Sequence, residues 1–333
     1  MRWDDFRQSE NVEDRRGGGG DGGGFGPGGG GFPVPGGRGT LGIGTILILG
    51  LIGWVVGIDP RQLIGMVQEI QTGGGGQFEQ PFDEDRAGPR RPPRQSGQPG
   101  AGPGERADAP ADDRNIRFVK AILGNTEDVW KVVLPEQMGV QYQNPRMVVF
   151  SGATRSGCGT AQSAMGPFYC PRDKTVYLDM SFFNEMKQKF RVSGEFAYAY
   201  VLAHEVGHHV QNLLGVLPKV ERARRGLGEV ENNQLSVRVE LMADCLAGVW
   251  ATRSNEKFKF LQEGDVEAAV KAAEAIGDDR LQKQAQGYVV PDSFTHGSSA
   301  QRVRAMMIGM KSGQVTSCDT FKRSPDRTAS LGN

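Results

Sequence analysis

The chain has 333 residues, and its 39 lysines and arginines balance 39 aspartates and glutamates, for a formal net charge of zero at pH 7. That length accommodates one or two domains, and the missing basic excess argues against a nucleic-acid partner. Only four histidines and four cysteines are present, so their positions carry much of the chemical information.

From the N-terminus, residues 1–38 are dominated by glycine, as in "RRGGGGDGGGFGPGGGGF". Such a segment buries too little apolar surface to offset its ordering entropy, and disorder is expected over the whole of it. Residues 39–58, "GTLGIGTILILGLIGWVVGI", carry no charge. A helix of that length is about 30 Å long, one hydrocarbon thickness, which predicts a transmembrane helix. Arginines 2, 7, 15, 16 and 38 precede it and favour a cytoplasmic N-terminus. Residues 59–112 are rich in proline, glycine and mixed charge and read as a flexible linker. The folded domain is expected over residues 113–322, with a disordered tail at 323–333.

Within that domain, Ile116, Val119, Ile122 and Leu123 recur at helical spacing, and a second helix is expected after an Asn125 or Thr126 cap. "PRMVVFSG" and "KTVYLDMSF" are rich in β-branched and aromatic residues and read as strands, with an irregular stretch between them. A long helix is expected from Ser193 to Gly215, another from about Glu231 to Thr252, further helices over 263–286, and a last one in "AQRVRAMMIGM". The expected class is α+β, predominantly helical.

Three of the four histidines fall in "VLAHEVGHHVQ". His204 and His208 are four apart, so on a helix they project from one face about 40° apart. Two imidazoles one turn apart can reach one zinc ion, and Glu205 between them can reach a bound water without ligating the metal. His209 points about 100° away from His208 and reads as a packed residue. In "ELMAD", Glu240 and Asp244 share a face otherwise lined by Leu241, Ala243, Leu246 and Ala247. Glu240 completes a two-histidine, one-glutamate zinc site, and Asp244 accepts the free ring N–H of a ligating histidine.

"HEVGHHVQ" followed by "ELMADCLAGVW", behind the opening "MRWDDFRQSENVEDRR", resembles the bacterial neutral zinc metallopeptidase family over nearly the whole chain. The resemblance implies a zincin-like domain of the glutamate-zincin type, one Zn2+ per chain and a peptide or protein substrate. "FTHGSSAQR" is similar in spacing to a loop of membrane-associated zinc peptidases in which a histidine and an arginine steady the oxyanion. It nominates His296 and Arg302 as catalytic, with Gly297 where that loop has proline. The alternative is an N-cap at Ser298 or Ser299 that His296 merely flanks.

Cys158 with Cys170, and Cys245 with Cys318, are expected to form two disulfides, as suits an oxidising compartment. The functional expectation is a single-pass metallopeptidase anchored in the bacterial inner membrane by residues 39–58. Its catalytic domain would be periplasmic or extracellular, its general base Glu205, and "TVYLD" at Thr175 to Asp179 an edge strand for substrate. The rival readings are a zinc amidase acting on cell-wall peptides and a non-catalytic zinc-containing module.

Overall fold

A computed structural model describes residues 1–16 and 111–322. The chain divides into two units, Met1–Gly37 with Asp113–Asn333, and Arg38–Asp112; all that follows concerns the first, except that its opening helix starts two residues earlier. The expected span at 39–58, the linker at 59–112 up to that helix and the tail at 323–333 lie outside the described residues. Among the described residues, no helix is long and apolar enough to cross a membrane.

The architecture is α+β and predominantly helical. Helix α1 runs through Ala111–Met138 without the break expected at Asn125. Asn125 is buried and does not cap; its Oδ1 accepts from Trp250 Nε1 at 2.8 Å and from Ser254 Oγ at 2.7 Å. The Thr126 hydroxyl bonds back to the Leu123 carbonyl at 2.7 Å, which lets a polar residue sit inside a helix.

Four strands form one sheet: β1 (Val12–Asp14), β2 (Arg146–Phe150), β5 (Phe168–Cys170) and β6 (Thr175–Asp179), in the order β1-β2-β6-β5. The first three are parallel, and β5 runs antiparallel to β6. Between β2 and β5, β3 (Ala153–Ser156) and β4 (Gly159–Gln162) make a hairpin where the sequence suggested irregular chain. Strand β6 is paired on both sides and all five of its residues are buried. It is therefore not the edge strand expected at Thr175 to Asp179; a run apolar enough to be buried on both faces belongs in a sheet interior. The edge is β5.

The remaining helices are α2 (Ser181–Gln188), α3 (Glu195–Leu213), α4 (Val216–Ala223), α5 (Glu229–Phe258), α6 (Asp265–Ala275), α7 (Asp278–Gln286) and α8 (Ser299–Ser312). Two close crossings fix their packing. A Cβ on Gly207 of α3 would lie 3.0 Å from the Ala243 carbonyl oxygen of α5, and one on Gly309 of α8 would collide with the Cys245 carbonyl. Both expected disulfides are present: Cys158–Cys170 ties the β3–β4 turn to β5, and Cys245–Cys318 ties α5 to the turn after α8.

The N-terminal expectation needs correction. Residues 1–16 are an ordered arm of this unit, distinct in composition from the glycine run that follows. Trp3 and Phe6 are buried, Trp3 packing edge-on to Phe118 and Phe6 edge-on to Phe258 and Phe260. Glu127 of α1 is fully buried. Its carboxylate accepts from Arg7 at 2.6 Å, the Ser9 hydroxyl at 2.7 Å and Asn11 Nδ2 at 2.7 Å, all from the arm. Beyond these, β1 adds a parallel strand to β2.

An apolar anchor of this kind predicts that Phe6→Ala lowers stability by about 3–5 kcal/mol. Removal of Met1–Arg16 takes away Trp3, Phe6 and the donors to Glu127 together and should cost at least as much. Urea unfolding of both variants checks this; an unchanged midpoint would show that the arm contributes nothing to the folded unit.

Candidate metal centre

Helix α3 presents His204 and His208 from one face, their rings 4.8 Å apart between centroids and nearly perpendicular. Helix α5 crosses it at Gly207 and brings Glu240 opposite. His204 Nε2 lies 3.0 Å from Glu240 Oε2, and His208 Nε2 lies 3.5 Å from Glu240 Oε1. Two donors each 2.0–2.1 Å from a tetrahedral zinc are about 3.3 Å apart, and these distances bracket that value. One potential ligand atom from each of the three residues lies within 4.8 Å of the others. The donor set and its spacing therefore fit a zinc ion, and the partial exposure of His208 and Glu240 leaves one side open for water or substrate.

The other ring nitrogens are held by protein. His204 Nδ1 is 2.7 Å from Asp244 Oδ1, and His208 Nδ1 is 2.9 Å from Gln211 Oε1. Gln211 is itself fixed by donating from Nε2 to the Val239 carbonyl at 2.7 Å. Both histidines thus keep Nε2 turned toward Glu240, the arrangement that fixes the tautomer of a metal ligand.

Asp244 is fully buried. The Tyr200 hydroxyl donates to its Oδ1 at 2.6 Å, Arg302 Nη2 to Oδ1 at 2.9 Å, and Arg302 Nε to Oδ2 at 2.9 Å. Burial works against its charged form, but Arg302 and His204 prevail and hold its pKa at about 2. Burial likewise opposes charge on Glu240, yet the imidazoles of His208 and His204 keep it well below the usual carboxylate range. At His204 the two acids outweigh burial and raise the imidazole to about 10. The acid pair draws a positive charge to this point, and a divalent cation answers that demand as a proton does.

Glu205 is buried on the same helix, and burial raises its carboxyl to about 7, against the pull of His204. The backbone of Tyr169, on edge strand β5, lies near enough to favour the charged form slightly, while Oε2 has no hydrogen-bond partner among the described residues. His209 is neutral and packed: burial lowers its pKa to about 4, Tyr169 Oη lies 2.9 Å from its Nδ1, and the Gln143 carbonyl lies 2.6 Å from its Nε2.

The loop before α8 divides the two residues nominated there. The side chain of His296 is about half exposed, and it lies near enough to Glu240 for each to favour the other's charged form. Its Nδ1 is 3.2 Å from Asp278 Oδ1, and Asp278 Oδ2 accepts from the backbone N–H groups of Thr295, His296 and Gly297 at 2.8, 2.7 and 3.0 Å. Arg302 is buried, its guanidinium committed to Asp244 and the Ile276 carbonyl. To steady an oxyanion, as the sequence suggested, its guanidinium would have to give up these bonds. The cap alternative also holds, since Ser298 and Gln301 form a capping box on α8.

Sequence reasoning missed Tyr200, Gln211 and Asp278. Tyr200 and Gln211 stood at i−4 from His204 and i+3 from His208, where a search along the histidine helix would have found them. Asp278 is 18 residues from His296, and no local pattern links the two.

The chain matches the family model described as "Putative neutral zinc metallopeptidase" over residues 1–321. It is 45% identical over 324 residues to the uncharacterized protein YpfJ of Escherichia coli K12, covering 97% of this chain and 100% of the relative. It is also 45% identical over 219 residues to the uncharacterized protein Rv2575 of Mycobacterium tuberculosis, covering 62% of this chain and 71% of the relative. No solved structure matches.

Zinc content should collapse in His204→Ala, His208→Ala and Glu240→Ala, each of which removes one anchor of three. Asp244→Asn should retain zinc with affinity reduced about 10–100-fold. Metal analysis after dialysis against a graded chelator measures both. Stoichiometric zinc in Glu240→Ala together with its loss in Asp244→Ala would move the third ligand to Asp244.

Proposed function

This chain belongs to the neutral zinc metallopeptidase family, and on that premise we propose that it hydrolyses peptide bonds in a zincin-like domain of the glutamate-zincin type. The single observation that carries the reading is a buried Glu205 with a free Oε2 beside three convergent ligand atoms.

His204, His208 and Glu240 would hold the zinc ion. Once bound, zinc polarises the substrate carbonyl and acidifies water. Glu205 accepts a proton from the attacking water and passes it to the leaving amine. Its burial keeps competing solvent off the carboxylate. His296, steadied through Nδ1 by Asp278, offers Nε2 to the developing oxyanion. Arg302, Tyr200 and Asp244 hold the His204 ring without touching substrate.

An extended peptide pairs with the free edge of β5, Phe168–Cys170, in place of the interior strand β6. Among the described residues β5 pairs only with β6. Its Tyr169 backbone lies near Glu205, so a strand added there would run past the base. The two disulfides support a domain that folds in an oxidising compartment at the bacterial envelope.

Glu205→Gln preserves size and polarity but cannot accept a proton at neutral pH. It should bind zinc as the parent does and lose peptidase activity by at least ~10²-fold, measured on a peptide from a mixed library that the parent cleaves. His296→Ala should be impaired less. Unreduced turnover in Glu205→Gln would remove Glu205 as the base.

A further inference from the structure

The ordered arm constrains where the chain can lie relative to a lipid bilayer. Its contacts with the domain extend along its length. The Arg2 N–H donates to the Phe260 carbonyl at 2.9 Å and the Ser9 N–H to the Lys120 carbonyl at 3.0 Å. The Met147 N–H donates to the Asn11 carbonyl and the Arg15 N–H to the Val149 carbonyl, each at 2.8 Å. A Cβ on Gly124 of α1 would collide with the Arg7 carbonyl, so the helix surface is cut to fit the arm. Glu127 is buried, and all its side-chain donors come from Arg7, Ser9 and Asn11.

Residues 39–58 lie between the arm and the domain. A segment that crosses a bilayer once delivers its two flanks to opposite sides. An arm in the cytoplasm could not supply β1 to a sheet outside it, nor partners for Glu127. Docking onto a second copy does not relieve this, because that copy's domain would lie across the same membrane. An even number of crossings needs another apolar run of comparable length, and the sequence from residue 17 to residue 110 has none.

We infer that Met1–Arg16 and the domain from residue 114 onward occupy the same compartment, and that residues 39–58 therefore do not cross a membrane as a single span. The single-pass topology expected from hydropathy and arginine placement gives way to the pairing of β1 with β2. This inference does not depend on the peptidase reading.

The test uses the full chain in its native membrane. All four cysteines are in disulfides, so Glu10→Cys in the arm and Lys187→Cys on α2, both at exposed positions, each introduce one thiol. A membrane-impermeant maleimide is applied to spheroplasts, intact and then permeabilised. The expected result is one pattern for both variants, labelled before permeabilisation or only after it. Labelling of Lys187→Cys in intact spheroplasts with Glu10→Cys protected until permeabilisation, or the reverse, overturns the inference.

Discussion

The buried carboxylate of Asp244 is the point on which the site rests. An unpaired charge in an apolar interior is strongly destabilising, and Asp244 sits among Leu241, Ala243, Leu246 and Ala247, all buried. It is tolerable only because three helices converge on it: α3 supplies Tyr200 and His204, α8 supplies Arg302, and α5 carries the aspartate. The close approach of α8 to α5 at Gly309 allows a guanidinium to reach so deep a group. Cys245, the next residue, is bound to Cys318, so the turn after α8 is also tethered beside this network. Fold and site thus share one electrostatic requirement: the charge that orients His204 also demands the packing that holds α8 in place.

What was legible in the sequence followed from short-range periodicity. Four-residue spacing placed His204 with His208 and Glu240 with Asp244, because a helix fixes the angle between side chains whatever surrounds it. Direction toward a third element is not so fixed. The spacing of His296 and Arg302 suggested two residues facing one substrate, yet six residues cover the loop, the cap and the start of α8, and Arg302 emerges on the side facing Asp244. Asp278 escaped notice for the same reason, since its three backbone donors come from a loop that folds back over the start of α7.

Composition misled at the N-terminus. The glycine run starting at residue 17 dominates any window that includes it, and the preceding sixteen residues hold too few apolar groups to announce a strand. Their order depends on long-range partners: Phe258 and Phe260 for Phe6, Phe118 for Trp3, Glu127 for Arg7, Ser9 and Asn11. The polar residues of the arm carry as much of this information as the aromatic ones, because a buried carboxylate specifies its donors more narrowly than an apolar pocket specifies a ring. Strand β1 is three residues long and forms only because β2 offers it an edge.

The sequence placed Glu240 on the metal and Asp244 behind a ligand histidine, although the two are acids one turn apart on one apolar face, and their partners give the physical reason for the difference. Asp244 accepts from a tyrosine hydroxyl, two guanidinium N–H groups and an imidazole. Both its oxygens are engaged by groups that themselves cannot move without opening the core. Glu240 has one oxygen near each of the two histidines, faces the open side, and takes no guanidinium or hydroxyl donor among the described residues. A carboxylate already satisfied by fixed protein donors would have to give up those bonds to ligate a metal, whereas one whose contact is with another prospective ligand exchanges it for the ion both would share. Satisfaction by hydrogen bonds favours Glu240 as the metal ligand and Asp244 as its support.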